Sequence, residues 1–127
     1  MLRVSLHDRR FVASANDHGV SGADTVFHYR MEGPIITGTY RGGRVREGHL
    51  VGRATSADTI QLLYHCITTD GELLAGWSKG RVTTDAAGGV ELDFEWAWLT
   101  GDRSGGRSHY VELRDPGPAD AALDRGA

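Results

Sequence analysis

The chain has 127 residues, 14 basic and 17 acidic, and a formal net charge of −3. This length is enough for one domain with one core, and we assign residues 1–115 to that domain and 116–127 to a flexible tail. The sequence contains no block of like charge and no apolar run long enough to span a bilayer, which argues against partners such as nucleic acid or membrane. The charged residues 1–10 do not resemble a secretory signal, so we expect a cytoplasmic location.

Short runs of β-branched and aromatic residues, separated by turn residues, recur about every ten to fifteen residues. They predict eight strands, near residues 11–15, 25–31, 35–40, 45–54, 59–67, 73–82, 90–99 and 107–113. Connections this short join only antiparallel neighbours, because a parallel crossover needs a dozen or more residues. The predicted fold class is therefore all-β, an antiparallel up-and-down meander closed into a small β-barrel.

Alternation within the predicted strands indicates which side chains share a face. In the seventh strand, acidic residues 91, 93 and 95 alternate with an apolar set that ends in Trp96 and Trp98. If the aromatic face is the inner one, Tyr29 and Tyr64 line the interior and the adjacent histidines, His28 and His65, face outward. The fifth strand, residues 62–67, is apolar on both faces, which favours either a central position or a homodimer contact.

The single cysteine, Cys66, cannot form an internal disulfide and is expected to be a buried, unreactive thiol. None of the six histidines has a partner at metal-ligand spacing, so the sequence predicts no metal site and no other cofactor.

A series of motifs runs through most of the chain: Thr25-x-Phe27-x-Tyr29, Gly38-Thr39-Tyr40-x-Gly42-Gly43, Gly48-x-Leu50-x-Gly52, Tyr64-His65, Gly71-Glu72-Leu73, Trp96-x-Trp98 and Thr100-Gly101-Asp102-x-Ser104-x-Gly106-x-Ser108. This series resembles a family of short bacterial proteins that often carry the label N-acetylglutamate synthase. The resemblance covers roughly residues 11–112 and implies a compact lipocalin-like or avidin-like barrel. We interpret the label as an inherited error. An acetyltransferase is expected to hold coenzyme A at a helix N-terminus, and this sequence predicts no such helix.

Two functions from different classes fit the sequence, and a purely structural role is the third possibility. The first is a barrel that binds a small hydrophobic or aromatic molecule, with a wall of aromatic side chains and two polar groups: Phe27, Tyr29, Tyr40, Tyr64, Trp96, Trp98, Ser108 and Glu112. The second is a cofactor-free cyclase or isomerase whose candidate acid–base residues are Glu95, Tyr64 and Asp102. The third is a homo-oligomeric structural or interaction module with a filled interior.

Two of these acidic candidates have a competing structural interpretation. Glu95 shares its face with two other acids, which is typical of the solvated outside of a barrel, but its aromatic neighbours would also fit a partly buried acid. Asp102 lies in a glycine-flanked loop, where it could line a barrel mouth or hold its own turn through its side chain.

Overall fold

The structure is a computed structural model that describes residues 2–16, 19–101 and 103–113. These residues form eight strands and no helix: β1 Arg9–Asn16, β2 Val26–Glu32, β3 Ile35–Gly42, β4 Val45–Ala54, β5 Thr59–Thr68, β6 Leu73–Thr84, β7 Val90–Trp98 and β8 Gly105–Glu112. Each strand pairs antiparallel with the next, and β8 pairs with β1, so the barrel is closed. The predicted all-β meander is confirmed. The predicted tail 116–127 and Asp102 lie outside the described residues.

The alternation along each strand determines which side chains form the barrel interior. On β7, Leu92, Phe94 and Trp96 are buried, whereas Asp93 and Glu95 between them are exposed. Tyr29 and Tyr64 likewise point inward, and His28 and His65 point outward, as the sequence predicts for an inner aromatic face.

One half of the interior is filled by apolar side chains. Phe11, Ile36, Ile60 and Leu92 have an exposed fraction of 1 % or less. The segment that precedes β1 closes this end of the barrel, because Leu2 and Leu6 are buried against the same cluster. Two backbone hydrogen bonds hold this segment in place. The amide of Arg3 donates to the carbonyl of Ala57 over 2.8 Å, and the amide of Asp8 donates to the carbonyl of Tyr29 over 2.8 Å. We call residues 2–6 the N-terminal plug.

Inward aromatic rings lie opposite glycines on the neighbouring strand. Tyr40 faces Gly48, and Tyr64 faces Gly76. A Cβ atom on Gly48 would lie 2.4 Å from the Tyr40 ring, and one on Gly76 would lie 2.6 Å from the Tyr64 hydroxyl. The glycines therefore give the rings room to lie against the wall of a small barrel, which explains why so many glycines fall inside the strands.

The seam between β8 and β1 carries a β-bulge and a polar network on the outer surface. Ser14 is the extra residue of the bulge, and its hydroxyl shares a hydrogen bond with His109, whose other ring nitrogen contacts Glu91 over 2.7 Å. Bulges of this kind bend a strand where a barrel closes.

No helix in the described part of the chain is long and apolar enough to cross a membrane.

Candidate functional site

The half of the barrel away from the N-terminal plug contains a narrow pocket. Its cavity volume is about 40 Å³, and the surrounding non-atom space, which includes open solvent at its mouth, is about 490 Å³. The pocket is lined by sixteen residues from β1 through β8 and from the loop between β1 and β2: Asn16, Gly19, Val20, Ser21, Phe27, Tyr29, Tyr40, Leu50, Leu62, Tyr64, Ser78, Phe94, Trp96, Trp98, Ser108 and Tyr110. The barrel is thus filled at one end and has a small, partly open pocket at the other.

Aromatic rings form the walls of this pocket and brace one another. Phe27 and Tyr40 are stacked with ring centroids 4.5 Å apart. Trp98 makes edge contacts with Trp96 at 5.2 Å and with Tyr64 at 6.1 Å. Such edge-to-face contacts hold rings in defined orientations, so the pocket presents a preformed aromatic surface.

The hydroxyl groups of the pocket are largely hydrogen-bonded to one another. Tyr64 bonds with Ser78, and Tyr110 bonds with both Ser108 and Ser21. Burial raises the pKa of Tyr29 and of Tyr64 well above the ordinary value, and it raises the pKa of Tyr110 to about 12. These side chains are therefore neutral at physiological pH.

No acidic, basic or histidine side chain lines the pocket among the described residues. Likewise, no group of three or more His, Cys, Asp or Glu side chains in the described ranges could hold a metal ion. The interior therefore offers aromatic surface, hydroxyls, one amide and indole N–H groups, with no formal charge.

A comparison with protein families gives one match: the family described as avidin-like protein matches residues 4–113. The chain belongs to the avidin-like protein family. The match spans the barrel from the N-terminal plug to the end of β8. Avidin-like barrels typically bind small molecules. A search of curated proteins finds no match.

The family assignment confirms the avidin-like part of the resemblance that the sequence motifs indicated. Our interpretation of the N-acetylglutamate synthase label as an error stays a prediction.

The avidin-like barrel brings most of the predicted binding residues together. Seven of them line the pocket: Phe27, Tyr29, Tyr40, Tyr64, Trp96, Trp98 and Ser108. Glu112 does not line it, and its contact with a ligand stays a prediction. Its carboxylate pairs with the guanidinium of Arg9 over 2.9 Å and accepts a hydrogen bond from the amide of Val90 over 3.0 Å. Glu112 thereby ties β8 to β1 and β7 beside the filled half of the barrel.

The two described acid–base candidates, Glu95 and Tyr64, do not share a site. Glu95 lies on the outer face of the avidin-like barrel with 56 % of its side chain exposed, and it lies 4.0 Å from the ammonium group of Lys79. The expectation that Glu95 is partly buried in a pocket is therefore wrong. Tyr64 lines the pocket, and Asp102 lies outside the described residues.

Sequence reasoning missed several lining residues. Phe94 and Tyr110 share strand faces with Trp96 and Ser108, so the same alternation could have identified them. Asn16 and Ser21 flank or belong to the β1–β2 loop, where no periodic pattern indicates which side chains turn inward.

Proposed function

We propose that this avidin-like barrel binds a small hydrophobic or aromatic molecule in the pocket. The observation that carries the proposal is the difference between the two ends of the interior: one end is packed with apolar side chains, and the other presents braced aromatic rings around a small, partly open pocket. Apolar concave sites with a few convergent polar groups are the usual form of small-molecule sites.

The chemistry of the pocket favours binding over catalysis. A general acid or base works best with a pKa near the operating pH. Of the two described acid–base candidates, Tyr64 lines the pocket and Glu95 does not, and burial raises the pKa of Tyr64 far above neutrality. The pocket therefore supports the binding function better than a cyclase or isomerase.

Replacement of Trp98 by alanine is expected to weaken binding of a neutral aromatic probe such as naphthalene roughly tenfold, because the probe loses one aromatic wall. Leu113→Ala is the control, because this leucine does not line the pocket. The dissociation constants are measured by isothermal titration calorimetry. No binding to the unaltered protein, or equal losses in the two variants, would contradict the proposal.

We further propose that the outer face of β4 to β6 contacts a second copy of this chain. Val51, Leu63 and Trp77 lie opposite one another in register on neighbouring strands. Val51 and Leu63 are 52 % and 55 % exposed. A row of exposed apolar side chains on one sheet face is typical of an interaction surface, and avidin-like barrels often oligomerise.

Combined replacement of Leu63 and Ile67 by lysine is expected to yield a monomer, because two charges on each copy would be buried against each other. Leu113→Lys, at the end of β8, is the control and leaves the assembly unchanged. The molar mass is measured by light scattering. A mass that is the same for the double variant and the unaltered protein would remove the support for this contact.

A further inference from the structure

Among the residues that the structure describes, two buried polar atoms of the pocket have no hydrogen-bond partner. They are Oδ1 of Asn16 and Nε1 of Trp96, and both residues line the pocket. Trp96 is only 4 % exposed, so solvent does not satisfy its N–H group. A buried polar group without a partner destabilises the folded protein, and the large majority of buried side-chain polar atoms in native proteins are paired.

We infer that the pocket takes an uncharged ligand that presents a hydrogen-bond acceptor to Trp96 Nε1 and a donor to Asn16 Oδ1. This inference rests on the proposed function and specifies the class of ligand. Secondary amides and lactams carry both groups without a formal charge.

The direction of each hydrogen bond follows from the chemistry of the two side chains. An indole nitrogen is only a donor, so the ligand atom beside Trp96 must accept. The amide of Asn16 is oriented by its Nδ2 group, which donates to the carbonyl oxygen of Ser21 over 2.9 Å. The reverse orientation of the amide would place Asn16 Oδ1 against the carbonyl oxygen of Ser21, and both of these atoms are acceptors. Oδ1 is therefore the atom of this amide without a partner. Because Oδ1 is an acceptor, the ligand must present a donor to it.

Two tyrosine hydroxyls of the pocket have partners of their own. That of Tyr64 interacts with Ser78, and that of Tyr110 interacts with Ser21 and Ser108. The two unpaired atoms are thus a specific feature of the lining, distinct from its hydroxyl network.

The absence of charge in the ligand follows from the lining. The described lining residues include no side chain that could neutralise an ion, and burial of an unpaired ion is strongly unfavourable. An ionised group on a ligand would have to remain at the mouth.

The test compares four bicyclic probes of similar size by calorimetry: 2-quinolinone, which is a neutral lactam; 1-methyl-2-quinolinone, which lacks the N–H donor; naphthalene, which lacks both groups; and 2-naphthoate, which is charged. We expect 2-quinolinone to bind roughly tenfold more tightly than each of the other three, as expected for hydrogen bonds to otherwise unpaired groups.

The protein side of the comparison uses Trp96→Phe, with Leu113→Ala, which lies outside the pocket, as the control. Trp96→Phe should lower the affinity for 2-quinolinone roughly tenfold while it leaves the affinity for naphthalene nearly unchanged. The ligand series alone decides the question if Trp96→Phe fails to fold.

The outcomes separate the inference from the proposed function. If no probe binds, the proposed function itself fails. If naphthalene or 2-naphthoate binds as tightly as 2-quinolinone, the pocket binds small molecules but the inferred polar complementarity is wrong. Equal effects of Trp96→Phe on 2-quinolinone and on naphthalene would also overturn the inference.

Discussion

On alkaline titration, the tyrosines are expected to remain protonated until the barrel unfolds, and then to ionise together. All four tyrosines of the chain line the pocket: Tyr29, Tyr40, Tyr64 and Tyr110. Burial is the main cause that raises the pKa of each. In the unfolded chain, a tyrosine has a pKa of about 10.

The sign of the effect follows from this difference. Below pH 10 the tyrosines are protonated in both the folded and the unfolded chain. They therefore contribute nothing to the pH dependence of stability in that range. Above about pH 10 the unfolded chain releases protons that the folded barrel retains, so each buried tyrosine lowers the free energy of unfolding by about 1.4 kcal/mol per pH unit until its folded pKa is reached. The four tyrosines together give about 5 kcal/mol per pH unit, which predicts a steep alkaline transition.

The measurement is tyrosinate absorbance and circular dichroism recorded on the same samples. We expect the two signals to change together above pH 10. Tyr110→Phe removes a group whose pKa is raised to about 12, and it should make the loss of stability with pH less steep. A tyrosine that titrates near pH 10 while the dichroism of the barrel is unchanged would contradict the buried, uncharged pocket.

Replacement of Leu6 by alanine is expected to destabilise the protein by about 2–5 kcal/mol, the usual cost of truncating a fully buried leucine. Leu6 is 0 % exposed and belongs to the N-terminal plug. Leu73→Ala is the control, because this leucine is 74 % exposed and a change there should stay within about 0.5 kcal/mol.

The comparison is made by denaturant unfolding of both variants. Binding of naphthalene to folded Leu6→Ala should persist, because no residue of the N-terminal plug lines the pocket. Equal unfolding midpoints for Leu6→Ala and Leu73→Ala would show that residues 2–6 do not close the barrel.

Alternation predicts the faces of strands in this protein well, because a barrel this small must bury one face of each strand. It correctly places Tyr29 and Tyr64 inside and His28 and His65 outside. It also groups Glu95 with the outward acids, and the aromatic residues beside it in sequence give no burial to its own side chain.

Alternation indicates which face of the sheet a side chain lies on, but not whether its position along the strand is level with the pocket. Glu112 shares a strand face with Ser108 and Tyr110, but it lies at the far end of β8, opposite Phe11 and beyond the pocket. The ion pair with Arg9 joins residues 103 positions apart in sequence, and no local pattern predicts such a contact.

The N-terminal plug and the loop residues of the pocket escaped prediction for a related reason. Leu2 and Leu6 form no strand, and they are buried only because the closed barrel presents an apolar end to them. Asn16 turns toward the interior next to a loop whose geometry depends on tertiary contacts. In both cases the decisive contacts are long-range.

The central claim is that the aromatic pocket of this avidin-like barrel holds a small uncharged molecule. The most direct test is a crystal structure of the protein purified from its own host or after incubation with cell extract. The account predicts electron density for a small molecule between the aromatic walls, with an acceptor within hydrogen-bond distance of Trp96 Nε1. An interior filled by side chains, with no bound molecule and with Trp96 Nε1 bonded to the protein itself, would contradict it.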